Sequence, residues 1–153
     1  MRETFGPRDL LQIMEEHVPF NRFLGIKGEL AEPGRAVLVL PVRPEFVGDP
    51  RRPALHGGVL STLIDTAGGV AAWSVLPPGE SVSTVDLRVD FLEPAGLTGA
   101  LRAEAVLVRK GNRVCHVRIR LTQGERLVAE GTGVFNIHRK RKDPATFREG
   151  GAS

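Results

Sequence analysis

The middle of the chain, from Ala54 to Gly79, is an apolar stretch with a single side chain that is charged at neutral pH, Asp65. Pro77-Pro78-Gly79 follows it, so the pattern predicts one buried helix that the prolines stop. On a helical wheel the side facing Asp65 carries small residues, namely Gly58, Ser61, Thr62, Gly68, Gly69 and Ala72. The opposite side carries Leu60, Leu63, Ala67 and Val70. We expect that side to pack against a core and the Asp65 side to approach a ligand, another backbone or a second subunit.

A lone carboxylate on such a helix has to be hydrogen-bonded, paired or used in chemistry, because an unpaired buried charge is costly. Asp65 is therefore a candidate general base or nucleophile. The alternative is a structural carboxylate tied to a serine, a threonine or a backbone N–H.

Composition describes an ordinary globular domain: 153 residues, 41% apolar and 25% charged. The one cysteine, Cys115, excludes an internal disulfide, which favours a reducing cytoplasm. The N-terminus has no apolar signal region, and no run reaches the ~20 apolar residues of a membrane span. We therefore expect a cytoplasmic protein that does not enter membranes.

The net charge is +3, with basic residues concentrated in the run from His138 to Lys142. Such a run usually solubilises a protein or meets phosphates without specificity. The chain has no tyrosine, one tryptophan and neither a helix-turn-helix nor a zinc pattern, so nucleic-acid binding is not expected.

Periodicity predicts the remaining elements in chain order. An amphipathic helix over 8–18 is broken at Pro19–Gly25, and strands follow over 26–31 and 35–42. The segment 43–53 is rich in charge and in proline, and is either a rim of the site or an ordinary surface loop. Strands over 81–92, 101–109, 113–122 and 126–138 have short connections, which predicts an antiparallel meander. The layout is α+β, with a curved antiparallel sheet wrapped around one long central helix.

His56-Gly57-Gly58 lies where the central helix begins. Free N–H groups and the helix dipole at that end favour negative charge, and glycine lets a carbonyl come close, which is the form of an oxyanion hole. The alternative is a tight entry turn in which His56 caps a backbone group.

Ser83 and Thr84, at the start of the strand after the helix, are placed to orient a water, although such residues also form turns. Without nearby partner ligands, the histidines do not predict a metal site. The sequence also contains no serine-nucleophile elbow, nucleotide-binding loop or zinc-protease motif.

Two motifs together resemble the hotdog-fold acyl-CoA thioesterases of the PaaI type. The first is His56-Gly57-Gly58, six residues and then Asp65; the second is Asp86 to Pro94, which has the form D-x-x-x-x-F-x-x-P. The resemblance covers roughly Gly25 to His138. It departs at 49–53, where many relatives carry an asparagine or glutamine and this chain has none.

The resemblance implies a hotdog fold, a homodimer or homotetramer, and hydrolysis of an acyl-CoA to free acid and CoA without metal or prosthetic group. Asp65 is then the general base or nucleophile, the Gly57 N–H polarises the thioester carbonyl, and His56 shapes that loop. Thr84, from the partner subunit, assists the water, and Gly58 and Ser83 contact substrate. Arg109, Lys110, Gly111 and Arg113 meet the CoA phosphates and pantetheine.

Two other functions remain open, a noncatalytic acyl-CoA-binding hotdog module and a hotdog hydratase or dehydratase. Asp65 on its small-residue face favours catalysis over mere binding. The aryl, short-chain and medium-chain acyl groups all remain open. By this interpretation residues 1–24 are an N-terminal helical segment, 25–138 the hotdog domain and 139–153 a basic, polar tail.

Overall fold

In a computed structural model, which describes residues 7–139, one six-stranded antiparallel sheet curves around one long helix. The helices are α1 (Pro7–Gln12), α2 (Pro19–Leu24) and α3 (Gly57–Trp73). The strands are β1 (Lys27–Glu32), β2 (Arg35–Pro41), β3 (Val47–Asp49), β4 (Arg52–Leu55), β5 (Ser81–Phe91), β6 (Ala100–Lys110), β7 (Val114–Gln123) and β8 (Arg126–His138). The α+β layout and the six predicted strands of the main sheet are confirmed.

The order of strands in the sheet is β1-β2-β6-β7-β8-β5, every pair antiparallel. The predicted meander is confirmed for β6, β7 and β8. It was wrong for β5, which precedes β6 in sequence yet pairs with β8 at the far edge. The connection after β5 therefore crosses the sheet, and β5 closes around the helix opposite β1.

The central helix is shorter than predicted, since it ends at Trp73 with Ser74 as its C-cap, before Pro77 and Pro78. Its buried side packs on the sheet as expected, through Leu60, Leu63, Ile64, Ala67, Val70 and Ala71. Gly68 and Ala72 are buried, so both were wrongly assigned to the open side. A Cβ at Gly68 would lie 2.8 Å from Cζ of Phe135 on β8, so the backbone of α3 touches the sheet there.

The N-terminal segment also differs from its prediction. The helix predicted over 8–18 consists of α1 and a π-helical turn, Ile13–His17. The predicted break at Pro19 is the start of α2, because proline is favoured in the first turn of a helix. Gly25 ends α2 at φ +83°, a conformation that glycine adopts without strain.

The segment 43–53, predicted as a loop, is ordered into a 3₁₀ turn (Pro44–Phe46) and the β3–β4 hairpin. The hairpin packs on the residue before α3, since a Cβ at Gly48 would lie 2.9 Å from Cα of His56. It therefore holds the entrance of the central helix. Within residues 7–139 no helix has the length and apolar character of a membrane span.

Candidate active site

His56 caps the start of α3. Its backbone is extended (φ −63°, ψ 130°), and its Nδ1 accepts a 2.8 Å hydrogen bond from the Gly58 N–H. Its own N–H donates to the carbonyl of Phe46 at 2.8 Å. An Nδ1 that accepts carries no proton, so neutral His56 is protonated on Nε2. The turn at 56–58 is thus fixed by the histidine, as the capping alternative expected.

This cap leaves the N–H of Gly57 available. Gly57 is the first helical residue, so no carbonyl of α3 can accept from it, and no other acceptor within residues 7–139 does. It borders a cleft of about 370 Å³, lined also by Leu55, Leu60, Phe91, Leu92, Glu93, Pro94 and Ala95. The Gly58 N–H, by contrast, is occupied by His56.

The backbone at Gly57 lies close to the side chain of Phe91. A Cβ there would lie 3.1 Å from Cζ of Phe91, so the phenyl ring would have to shift by a few tenths of an ångström. The ring therefore lies directly against the backbone that carries the free donor.

Asp65 lies two turns further along α3 and is half-buried. Its Oδ1 accepts a 2.7 Å hydrogen bond from the hydroxyl of Thr84 on β5. Oδ2 has no hydrogen-bond donor among the described residues. One oxygen is thus oriented by the protein while the other is available to a water or a substrate. The Thr84 that makes this contact belongs to the same chain.

Asp65 and Thr84 border a cavity of about 200 Å³ on the open side of α3. The N-terminal segment forms one wall, α3 the floor and the start of β5 the other wall. The lining residues are mostly apolar, namely Met14, Val18, Asn21, Thr66, Gly69, Val70, Trp73, Val82, Ser83 and Phe135. The indole of Trp73 is held in place because its Nε1–H donates to the Glu80 carbonyl at 2.8 Å.

The two predicted halves of the site do not meet within one chain. Gly57 and Asp65 are eight residues apart on one helix, which is about 12 Å along its axis. The cleft at Gly57 and the cavity at Asp65 share no lining residue. One thioester carbon cannot contact both groups of the same helix.

The predicted CoA-binding residues form the tip of the β6–β7 hairpin. Arg109, Lys110 and Arg113 are exposed there, and the Gly111 N–H closes the turn on the Val114 carbonyl at 2.8 Å. None of the four borders either cavity.

The hairpin is joined to the cavity rim through the end of β8. The guanidinium of Arg139 donates to the side chain of Asn112 at 2.6 Å, and its neighbour His138 has Nε2 2.6 Å from the Ser83 hydroxyl. The basic run predicted over 138–142 is described only as far as Arg139. No group of three or more His, Cys, Asp or Glu side chains in residues 7–139 is arranged as a metal site.

Sequence reasoning did not identify several residues of the site. Met14, Val18 and Asn21 belong to the N-terminal segment, which was assigned no role in the site. Trp73 was given no role, and Phe91 entered only as the phenylalanine of the D-x-x-x-x-F-x-x-P motif. Phe20 and Phe23 are exposed while Asn21 is buried, although phenylalanine usually lies inside a protein and asparagine on its surface. Only the structure reveals this arrangement.

Comparison with known proteins agrees with this architecture. The sequence model of the Thioesterase superfamily matches residues 53–130, which include both α3 and the Gly57 turn. The chain belongs to the thioesterase superfamily. It is also 36% identical over 135 residues to the medium/long-chain acyl-CoA thioesterase YigI of Escherichia coli, covering 79% of this chain and 86% of YigI.

This thioesterase has the predicted hotdog fold. A structure of the phenylacetic acid degradation protein PaaI from Thermus thermophilus superposes with a TM-score of 0.70 at 30% identity, over 77% of this chain and 97% of PaaI. The thioesterase HI1161 of Haemophilus influenzae has the same fold at 23% identity, with a TM-score of 0.76 over 90% of this chain and 93% of that protein. The enzyme is a thioester hydrolase, as predicted.

Proposed function

We propose that this thioesterase hydrolyses acyl-CoA thioesters to the free acid and CoA, with Asp65 as the catalytic carboxylate. The names of its YigI relatives support acyl-CoA as the substrate class. The observation that carries the role of Asp65 is its geometry: one oxygen is held by Thr84 at 2.7 Å and the other is free at the mouth of an apolar cavity.

In this mechanism the Asp65 carboxylate either takes a proton from the attacking water or attacks the acyl carbon itself. The charge that develops on the thioester oxygen is stabilised by the Gly57 N–H and by the positive end of α3. The bond between the acyl carbon and sulfur then breaks, and the sulfur leaves as the CoA thiolate, which takes up a proton. Attack by water gives the free acid directly, whereas attack by Asp65 leaves an acyl–Asp65 anhydride that a water then cleaves to the free acid and the carboxylate. No step requires a metal or prosthetic group.

The 12 Å between Gly57 and Asp65 supports a site made by two subunits, in which Gly57 of one chain faces Asp65 of the other. A two-fold axis would create two equivalent sites, because each subunit supplies both groups. We therefore propose a homodimer as the smallest active unit, alone or within a homotetramer.

The edge strand β5 supports this arrangement. It is eleven residues long, pairs with β8 on one side, and has no partner strand on its other side among residues 7–139. Val85, Phe91 and Leu92 are 62%, 55% and 50% exposed. A long apolar edge strand invites pairing with another chain. Pairing here would carry the Phe91 end of one subunit toward the Thr84 end of the other.

Arg109, Lys110 and Arg113 remain our proposed contacts for the CoA phosphates. Their hairpin connects through Asn112, Arg139 and His138 to Ser83 at the cavity rim. An acyl group bound in the cavity would thus direct the rest of the CoA molecule toward these positive charges.

The one cysteine of the chain, Cys115, is a free and buried thiol. Because the chain can form no internal disulfide, we propose that the protein works in a reducing compartment, the cytoplasm.

The function is tested by thiol release from acyl-CoAs of graded chain length, wild type beside Asp65→Asn. We expect turnover by the wild type and a loss of at least a hundredfold in the variant. Glu125→Gln, which changes an exposed carboxylate in the turn between β7 and β8, serves as the control and should keep full activity. Full turnover by Asp65→Asn would refute the catalytic role. Binding of CoA esters without any turnover would favour the noncatalytic binding module.

The shared site is tested by mixing two inactive variants, Asp65→Asn and Gly57→Pro. Proline removes the proposed donor, and the backbone tolerates it because the first turn of a helix accepts proline and His56 has the extended conformation that a following proline requires. Its ring also contacts Phe91, as a side chain at position 57 does. When equal amounts of the two variants are unfolded and refolded together, half of the dimers contain one chain of each variant. Each of these mixed dimers has one intact site. We expect recovery of about a quarter of wild-type activity. A mixture as inactive as its parts would refute the two-subunit site.

A further inference from the structure

Asn21 is a polar residue held rigidly inside the wall of the Asp65 cavity. It is 6% exposed, the only buried polar or charged residue in residues 9–139. Its carbonyl accepts hydrogen bonds from the N–H groups of Gly25 at 3.0 Å and Ile26 at 3.1 Å, which end α2. The backbone of Asn21 is therefore fixed by the turn into β1.

The side-chain amide is oriented as well. Its Nδ2 donates a 3.1 Å hydrogen bond to the carbonyl of Met14, in the π-helical turn. A carbonyl can accept only from the nitrogen, so this contact decides which end of the amide is oxygen. Oδ1 has no donor among residues 7–139, and Asn21 borders the cavity.

No hydrogen bond joins the lining of the cavity to this oxygen. Met14, Val18, Val70 and Trp73 offer apolar surface, and the hydroxyls of Thr66 and Thr84 donate to Thr62 and Asp65. Oδ1 is open to water, since it is not among the described side-chain atoms that are both buried and unpaired. An acceptor that loses this water without gaining a donor costs free energy. An unsubstituted alkyl chain filling the cavity would displace water from Oδ1 and offer nothing in return, whereas a hydroxyl on the acyl group would donate to it.

We propose that Asn21 is a specificity-determining residue, which selects acyl groups that carry a hydrogen-bond donor such as a hydroxyl. The proposal rests on the proposed function, since it assumes that the acyl group occupies the Asp65 cavity. Sites built to pair a substrate hydroxyl discriminate strongly against the analogue that lacks it. The small cavity, about 200 Å³, suits a short substituted acyl group.

The experiment compares kcat/KM for hexanoyl-CoA with that for its 3-, 5- and 6-hydroxy derivatives. We expect the wild type to prefer at least one hydroxy isomer roughly tenfold or more. In Asn21→Leu, which keeps the size of the side chain, that ratio should fall to about one. A ratio is independent of the amount of folded enzyme, so loss of the Met14 hydrogen bond alone would not move it.

Val18→Ala is the matched control, because it enlarges the same wall and leaves the amide in place. It should change kcat/KM for all four esters together and keep their ratio. Asn21→Ser provides a second variant if Asn21→Leu does not fold. The serine hydroxyl is too short to reach the position of Oδ1, so it cannot contact the hydroxyl of the acyl group.

A wild type that prefers unsubstituted hexanoyl-CoA, or a ratio unchanged by removing the amide, would overturn the role of Asn21 while leaving Asp65-dependent hydrolysis intact. If none of the esters is hydrolysed, the proposed function fails instead. In that case calorimetry can measure the dissociation constants of the same four CoA esters. The role of Asn21 then predicts that the wild type binds a hydroxy derivative more tightly than hexanoyl-CoA and that Asn21→Leu does not.

Discussion

The hydroxyl of Thr84 donates a 2.7 Å hydrogen bond to Oδ1 of Asp65, and so joins the edge strand β5 to the central helix. The two side chains come from elements separated by the turn at 74–80, and a bulge in β5 directly after Thr84 leaves Val85 without a partner on β8. The bulge breaks the strict alternation that the sequence of this strand predicts. Because of it Thr84 faces α3 on the same side of the strand as Leu87, three residues later, where strict alternation would place the two on opposite faces.

Removing this hydroxyl should slow hydrolysis without abolishing it. A hydrogen bond to a charged group contributes about 1.5–3 kcal/mol, so Thr84→Val should lower kcat by about tenfold to a hundredfold. Thr84→Ser keeps the hydroxyl and should retain most of the activity. Steady-state kinetics on one acyl-CoA measures both. Equal activity of the valine and serine variants would show that the contact does not orient Asp65.

Replacing Arg109 and Lys110 by alanine together should raise KM for acyl-CoA and leave kcat nearly unchanged, because the lost charges lie outside both cavities. The same acyl group on N-acetylcysteamine lacks the phosphates, so its KM should not change. Replacing Arg118 and Arg120, two exposed arginines on β7, by alanine removes the same amount of positive charge and serves as the control. An equal effect on both thioesters would mean that the hairpin does not bind the nucleotide.

Two neighbouring glycines of α3 should respond oppositely to alanine. At Gly68 a Cβ would lie 2.8 Å from Phe135, so Gly68→Ala should destabilise the fold by about 1–3 kcal/mol. At Gly69 the nearest atom would be at 3.7 Å, ordinary contact, and the gain in helix propensity should stabilise the fold by about 0.5–1 kcal/mol. Urea unfolding followed by circular dichroism measures both. Similar shifts in the two variants would contradict the packing of α3 described above.

Glu104 on β6 should contribute to the acid dependence of stability. A side-chain hydrogen bond from Arg35, at 3.2 Å, holds the pKa of Glu104 below its ordinary value of 4.5. Because the folded pKa is the lower one, the contribution is present above pH 4.5 and disappears as the pH falls through the folded value. Urea unfolding from pH 7 to pH 3 should show wild type and Glu104→Gln converging in acid. Glu125→Gln, in an exposed turn, should match the wild type throughout.

The sequence was sufficient to predict the parts of the molecule that local chemistry determines. The apolar run around Asp65 predicted the central helix, and the glycines after His56 predicted its open N-terminus. The pairing of Asp65 with a threonine was one of the alternatives considered.

What the sequence could not predict depends on contacts between distant elements. Short connections suggested a meander, but β5 pairs with β8 across the sheet, and no local signal encodes that choice. Asn21 lies in a segment that was predicted only to break the first helix. Its position in the cavity wall depends on Trp73 and Val82, which come from distant parts of the chain.

The position of β5 at the far edge also dictates when the site can assemble as the chain leaves the ribosome. Asp65 and Thr84 emerge at the midpoint of synthesis, but the strand that holds Thr84 has no neighbour until β8, the last strand, has been made. Pairing over such a separation is slow and favours late ordering. The nascent chain therefore carries a central helix that the sheet covers only in part until β8 has been made, and Asp65 acquires its hydroxyl partner only after residue 138 is free to fold.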